Sequence, residues 1–155
     1  MVELNINLGK RSYPIYIDSG FDEIGKTINE AGINGRTVLI TDENVDRYQS
    51  ESCLNMLEAE GVNVLKYVIP AGEKSKNLET IKDIYSFLID SKLDRSSALI
   101  ALGGGVVGDI TGFAAATFLR GINFIQVPTT VLAQADSSVG GKVGVDFNGY
   151  KNLIG

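Results

Sequence analysis

The sequence contains no histidine and only one cysteine, Cys53, among its 155 residues. Without histidine, Ser-His-Asp and Cys-His catalysis are excluded within this chain, together with every zinc site that is built on imidazole. A single thiol forms no internal disulfide, which fits a cytoplasmic compartment. We therefore predict no metal site among these residues.

Positive charge is also scarce, because 14 Lys and Arg residues face 19 Asp and Glu residues and leave a net charge of −5. Nucleic-acid-binding domains are typically basic on one face, yet the longest basic run is Lys10-Arg11. No apolar run reaches the roughly 20 residues that a membrane helix needs, and the first residues do not resemble a signal peptide. We predict neither a nucleic-acid partner nor a membrane partner.

The last part of the chain has few charges and much glycine. The first 95 residues carry 16 acidic and 11 basic side chains, whereas residues 96–155 carry three of each, and 11 of the 18 glycines follow residue 100. A segment of this kind is usually interior, so its charges are paired, functional or on exposed loops. The six are Asp109, Arg120, Asp136, Lys142, Asp146 and Lys151.

Hydrophobic periodicity predicts a hairpin followed by alternating strands and helices. Alternating apolar residues over 2–8 and 13–17 indicate two half-buried antiparallel strands around Gly9-Lys10. Short apolar runs then predict buried strands, and helical patterns separate them. The predicted strands are 37–41, 64–69, 98–102 and 124–127. Two helices are predicted at about 21–31 and about 45–60. Three more are predicted to begin at Ser75, after the glycines at 103–105, and at Pro128.

This order predicts an α/β fold: a Rossmann-like, mostly parallel sheet with helices on both faces and an N-terminal β-hairpin. Ligands of such sheets bind beyond the carboxyl ends of the strands. The segments expected there are 42–44, 71–76, 103–109 and 129–130.

The glycine turn carries the strongest chemical signal. Gly103, Gly105 and Gly108 satisfy G-x-G-x-x-G between a predicted strand and a predicted helix, a context in which a pyrophosphate approaches the backbone at a helix N-terminus. The acidic residue expected about 20 positions later is missing. The alternative interpretation is a turn whose glycines allow close helix packing.

Other polar residues at predicted strand ends have two interpretations as well. Asp42 either accepts hydrogen bonds from ribose hydroxyls or, like Asn44, caps the next helix. Thr129 and Thr130 either contact a ligand or cap a helix. The cationic residues of the charge-poor part, Arg120, Lys142 and Lys151, form either an anion site or a set of solvated surface charges.

Several segments, in this order, resemble the 3-dehydroquinate synthase family. They cover most of the chain, and the stretch from Gly103 onwards is the most specific, whereas residues 1–60 match only in layout. The segments are AGEKSK (71–76), GGGVVGD (103–109), FLRG (118–121), QVPTTVLAQ (126–134), DSSVGGK (136–142) and KN (151–152).

The resemblance implies an enzyme of the shikimate pathway, which supplies aromatic amino acids. Its members bind NAD and convert a phosphorylated sugar acid, 3-deoxy-D-arabino-heptulosonate 7-phosphate, into 3-dehydroquinate and phosphate. Hydride passes to NAD, phosphate is eliminated, hydride returns, and an aldol step closes the ring. A divalent metal, zinc or cobalt, polarises the reacting oxygen.

The resemblance also implies roles for individual positions. Asp136, Lys142, Lys151 and Asn152 match positions where nicotinamide and substrate are held, and Arg120 matches an arginine that reaches the neighbouring subunit's site in a homodimer. The positions implied for NAD are Asp42, Asn44, Ala71, Gly72, Glu73, Lys74, Ser75, Lys76, Gly104, Gly105, Val106, Val107, Gly108, Asp109, Thr129, Thr130, Leu132, Asp136, Ser137, Lys142 and Lys151.

The main departure from the family is length. The family continues with a helical domain that supplies a glutamate and two histidines for the metal. Residues 1–155 are therefore expected to be the N-terminal NAD-binding domain, truncated, without the metal ligands and without synthase activity of their own. The remaining alternatives are a related sugar-phosphate cyclase, a metal-dependent glycerol or alcohol dehydrogenase, a nucleotide-binding module without chemistry, and a structural domain without ligand.

Overall fold

The computed structural model describes all of residues 1–155. The chain begins with an antiparallel hairpin of β1 (Val2–Ile6) and β2 (Tyr13–Ile17), whose turn contains a 3-10 segment at Gly9–Arg11. Helix α1 (Ile24–Glu30) leads into the main sheet. The predicted N-terminal hairpin is thus confirmed.

The main sheet has four strands, all parallel, in the order β4-β3-β5-β6. Each strand has six residues, and β5 is buried along its whole length. The chain moves from β3 to β4 on one side and then crosses to β5 and β6 on the other, so the strand order reverses between β3 and β5. The bounds are β3 Thr37–Asp42, β4 Val64–Ile69, β5 Ala98–Gly103 and β6 Asn123–Pro128.

Helices cover both faces of this sheet, as predicted. After β3 the chain is helical through α2 (Glu43–Val45), a π-helical segment (Asp46–Ser50) and α3 (Glu51–Ala59). A 3-10 turn (Glu73–Ser75) and α4 (Leu78–Asp90) precede β5. Helix α5 (Gly105–Thr117) and a 3-10 turn (Phe118–Arg120) lie between β5 and β6.

Two hydrophobic cores result from the alternation of strand side chains. Val38, Ile40 and Leu99 pack on one face with residues of α4 and α5. Leu39 and Ile100 pack on the other with residues of α1 and α3, among them Cys53. Burial raises the pKa of the Cys53 thiol to about 12, so it remains protonated and unreactive at neutral pH.

The structure corrects several predicted boundaries. Ser75 does not open a helix: α4 begins at Leu78, because the Asn77 side chain accepts the N–H of Thr80 and caps it. Ile89 of α4 is exposed, whereas Ile81, Ile84 and Leu88 of the same helix are buried. Val2 and Leu4 are exposed as well, because the hairpin stands apart from the main sheet and only part of its face is covered.

The segment after β6 departs most from the expectation. A helical stretch ends in a π-helical segment (Ala133–Ser137), and a hairpin of β7 (Val145–Phe147) and β8 (Tyr150–Ile154) follows that the periodicity does not indicate. A bulge between its short strands obscures the alternation. None of the helices combines the length and apolar character required to cross a membrane.

Candidate functional site

The predicted site segments follow the carboxyl ends of the four parallel strands. β3 ends at Asp42 opposite Ile69 of β4, and β5 ends at Gly103 opposite Pro128 of β6. The segments that start with Asp42, Ala71, Gly104 and Thr129 therefore meet at one edge of the sheet, on both sides of the point where the strand order reverses. This is the position at which open α/β sheets bind ligands.

The N-terminus of α5 is open to an anion. Gly104 is its N-cap residue and supplies no side-chain acceptor, and the first intrahelical bond runs from the Gly108 N–H to the Gly104 carbonyl at 3.0 Å. The N–H groups of Gly105, Val106 and Val107 therefore lie before the helical ladder begins. Together with the dipole of this 13-residue helix they form a site suited to phosphate.

The glycines of this turn differ in the space beside them. A Cβ on Gly103 would lie 2.6 Å from the Val107 Cβ, and one on Gly112 would lie 2.4 Å from a Val143 methyl group, so these two glycines serve packing. A Cβ on Gly105 would meet only Ser137, at 3.4 Å from its Oγ. The space beside Gly105 is therefore available to a ligand.

Asp42 and Thr130 both have capping roles. The Asp42 Oδ1 accepts the N–H groups of Asn44 at 2.9 Å and Val45 at 3.0 Å, and the Thr130 Oγ1 accepts that of Ala133 at 3.2 Å. The capping interpretation is confirmed for Asp42, whose second carboxylate oxygen has no hydrogen bond within the chain. Because that oxygen is unpaired, a hydrogen bond from a ribose hydroxyl to Asp42 stays a prediction.

The loop 71–76 is tied to its surroundings by several hydrogen bonds. The Ala71 N–H donates to the Glu43 Oε2 at 3.3 Å, and the Ser75 hydroxyl donates to the Pro70 carbonyl at 2.6 Å. Gly72 has a φ of +99°, which a side chain rarely tolerates. The loop is thus shaped by its own sequence and by Glu43, a residue that the sequence analysis did not select.

Lys76 ends this loop with its side chain almost fully buried, at 6% exposure. Its Nζ lies 2.5 Å from the Asp109 Oδ2 in α5 and 2.5 Å from the Asn152 Oδ1 in β8. Its carbonyl accepts the Asp146 N–H at 2.9 Å, and the Asp146 carboxylate accepts the Asn152 N–H at 2.8 Å. Lys76 therefore joins the β7–β8 hairpin to the first turns of α5.

A cleft of about 660 Å³ opens beside α5, between the segment 136–144 and β8. Five residues that the sequence analysis selected line it: Asp109, Asp136, Ser137, Lys142 and Asn152. Ser137 also faces Gly105, so the cleft adjoins the open N-terminus of α5. Two carboxylates, one cation, a hydroxyl and an amide meet in this space, a set suited to a polar substrate with an anionic group.

Not every selected residue reaches the cleft. Lys151 forms an ion pair with Glu73 across the site, with its Nζ 3.1 Å from the Glu73 Oε1. Arg120 follows the far end of α5, is exposed and does not line the cleft. Leu119 and Arg120 both have positive φ, of 50° and 71°, in an exposed turn.

The residues present fit a nucleotide cofactor but not a metal. The open N-terminus of α5 and the space beside Gly105 suit a pyrophosphate. No three residues among Cys, Asp and Glu come together as a metal site, and histidine is absent.

Three residues that shape the site were assigned no role in it from the sequence. Glu43 holds the loop 71–76, Asp146 holds the backbone of Asn152, and Tyr13 in β2 contacts the glycine-rich segment through the Gly140 N–H. Asp146 was visible as one of the few charges after residue 95. Nothing in the local pattern indicates Tyr13, because its partner lies 127 residues away.

Comparison with known proteins places residues 66–155 in a family described as "3-dehydroquinate synthase N-terminal". A 3-dehydroquinate synthase of Acetivibrio thermocellus is 65% identical over 155 residues, which are 100% of this chain and 43% of that protein. A 3-dehydroquinate synthase of Ruminiclostridium cellulolyticum is 57% identical over the same length, again 100% of this chain and 43% of that protein.

A solved structure is also similar. 2-Deoxy-scyllo-inosose synthase, complexed with carbaglucose-6-phosphate, NAD+ and Co2+, has a TM-score of 0.87 and 25% identity, and the match covers 99% of this chain and 42% of that one. The chain thus spans less than half the length of the proteins that it matches.

Proposed function

The chain belongs to the 3-dehydroquinate synthase family, and from this premise we propose that it forms the NAD-binding part of an enzyme with that activity. The observation that carries the proposal is the continuity between the open N-terminus of α5 and the polar cleft. A dinucleotide needs such a pair of neighbouring sites, one for its pyrophosphate and one for the reacting ring.

In this proposal, the N–H groups at the start of α5 bind the pyrophosphate of NAD. Asp42 and Asn44, at the end of β3, hold the adenosine half, on the other side of the point where the strand order reverses. The loop 71–76 borders the same edge of the sheet. Bound NAD would accept a hydride from the substrate and return it later in the cycle.

The cleft would take the nicotinamide end and the substrate. Lys142 supplies a positive charge there, and Asp136 and Asp109 supply carboxylates that accept hydrogen bonds from hydroxyl groups. Asn152 presents its amide into the same space from β8. The substrate in this proposal is the phosphorylated sugar acid 3-deoxy-D-arabino-heptulosonate 7-phosphate, and the products are 3-dehydroquinate and phosphate.

The proposal extends to parts that these residues do not supply. The divalent metal would be bound by residues outside this chain, so residues 1–155 alone would have no synthase activity. Arg120, which lies outside the cleft of its own chain, would serve the site of a second subunit in a homodimer. The shikimate-pathway role and the cytoplasmic location belong to the same proposal.

Thermal unfolding of the chain with and without 1 mM NAD tests the cofactor site. A ligand that binds only the native state raises the midpoint by mass action. We expect NAD and ADP-ribose both to raise it, and a metal chelator to leave the NAD effect unchanged. A chain that unfolds cooperatively at the same temperature with and without either nucleotide would contradict the proposal.

A further inference from the structure

The segment that carries Lys142 into the cleft has little packing of its own. We name Ser138–Lys142 the glycine loop; it contains Gly140, with a φ of +97°, and Gly141. A Cβ on either glycine would meet nothing within 4 Å, so no neighbouring atoms confine the backbone there. The last backbone hydrogen bond before this point is donated by Val139 to the Asp136 carbonyl at 3.2 Å.

One side chain does hold the glycine loop. The Gly140 N–H donates to the phenolic oxygen of Tyr13 at 2.9 Å. Tyr13 lies in β2, opposite Ile6 of β1, and its side chain is half-buried. This is also the one hydrogen bond between the N-terminal hairpin and the main body, so the hairpin reaches the site through this contact.

We propose that Tyr13 is a positioning residue, which fixes the glycine loop through the Gly140 N–H so that Lys142 is presented to the cleft. The inference rests on the proposed function, because it assigns the glycine loop to the nicotinamide half of the NAD site. Tyr13 itself does not line the cleft. Its effect on binding is therefore indirect, through the conformation of the loop.

The same strand offers a matched control. Tyr16 belongs to β2 as well and is also half-buried, but successive strand residues point to opposite faces, and Tyr16 pairs with Glu3 on the face away from Tyr13. Burial, followed by the charges of Glu3 and Glu30, raises the pKa of Tyr16, so its phenol stays neutral at the pH of any binding assay. Tyr16→Phe removes one hydroxyl from the hairpin without touching the glycine loop.

The test compares NAD with AMP as ligands of the wild-type chain, Tyr13→Phe and Tyr16→Phe by isothermal titration calorimetry. Loss of one hydrogen bond corresponds to roughly a three- to tenfold change in affinity. We expect Tyr13→Phe to weaken NAD binding by this factor and to leave AMP binding within about twofold, because AMP lacks the nicotinamide half. Tyr16→Phe should leave both affinities unchanged.

Amide hydrogen exchange separates failure of this inference from failure of the proposed function. If Tyr13 holds the loop, exchange of the Gly140 N–H accelerates in Tyr13→Phe and not in Tyr16→Phe, whether or not NAD binds. Equal weakening of NAD and AMP in Tyr13→Phe would overturn the inference, because it would indicate a general structural defect. Unchanged exchange at Gly140 would overturn it too, whereas absence of NAD binding to the wild type would contradict the proposed function.

Discussion

Near the amino ends of the parallel strands, Asp94 and Arg36 have partners within the chain, whereas at the carboxyl ends the first N–H groups of α5 have no side-chain partner. Asp94 accepts the N–H of Ser96 at 2.9 Å and the hydroxyls of Ser96 and Ser97 at 2.6 and 3.2 Å. Arg36 donates to the Ser91 carbonyl. At the other end, the first N–H groups of α5 have no side-chain cap.

In the proposed function, the carboxyl edge binds the ligand and the amino edge has a structural role. Both ends of the sheet carry acids, cations and glycines, so composition alone does not separate them. A polar group that is satisfied within the chain stabilises the fold, whereas an unpaired N–H group at the surface is free to bind a ligand. The following experiments test whether the two edges really differ in this way.

We expect the largest loss of stability when Lys76, the buried cation of the carboxyl edge, is replaced. Lys76→Met leaves the Asp109 carboxylate without its partner, and removal of one member of a buried ion pair costs about 3 kcal/mol or more. At the amino edge, Arg36→Met removes one charged hydrogen bond to Ser91 and should cost about 1.5 kcal/mol. Urea denaturation measures both, and equal losses would contradict the distinction.

One glycine at each edge distinguishes an effect on stability from an effect on NAD binding. A Cβ on Gly35 would lie 2.4 Å from the Ser96 carbonyl oxygen, so Gly35→Ala should cost about 1–3 kcal/mol of stability. Gly105→Ala is sterically permitted within the chain but occupies the space proposed for pyrophosphate. It should leave the unfolding midpoint unchanged or raised and weaken NAD binding at least about tenfold.

Thermal unfolding measures the stability of both variants, and calorimetry measures their affinity for NAD. NAD affinity that survives in Gly105→Ala would remove the α5 turn from the site.

Charge at the glycine loop should affect affinity and not stability. Lys142→Met removes an exposed cation from the cleft, and we expect NAD affinity to fall about three- to tenfold, with a weaker dependence on salt. Lys82→Met on α4 is the control, since Lys82 is exposed and pairs only with Glu79 of its own helix. Titrations at two ionic strengths compare the variants, and a similar loss in both would contradict a local role for Lys142.

The smallest expected effect is the contribution of Asp94, at the amino edge, to the pH dependence of stability. Hydrogen bonds from Ser96, and then from Ser97, hold the pKa of Asp94 below its ordinary value of 3.8. Because the folded pKa is the lower one, this stabilisation is present above the ordinary pKa and is lost as the pH falls through the folded value. Between about pH 4 and pH 2, the wild type should therefore lose more stability than Asp94→Asn. Parallel curves for the two proteins would show that these hydrogen bonds do not favour the charged form.

Much of this fold could be predicted because local pattern and tertiary role coincide. The buried strands 37–41 and 98–102 are short, mostly apolar runs, and burial on both faces removes any need for alternation. Val2 and Leu4 were predicted to be half-buried but are exposed, because alternation indicates which side of a strand is apolar and not whether another element covers it. The β7–β8 hairpin was missed because β7 has only three residues and a bulge interrupts its pairing with β8.

The α/β class and the motifs that identify the family could be predicted from the sequence alone, because they depend on residue type and local spacing. The fold was needed to show that Asp42 caps a helix, that Lys76 is buried between Asp109 and Asn152, and that Tyr13 contacts Gly140. Each of these contacts joins groups whose meeting depends on backbone geometry or on how distant segments pack. A sequence pattern records neighbours along the chain, whereas the partners of Lys76 and Tyr13 become neighbours only after folding.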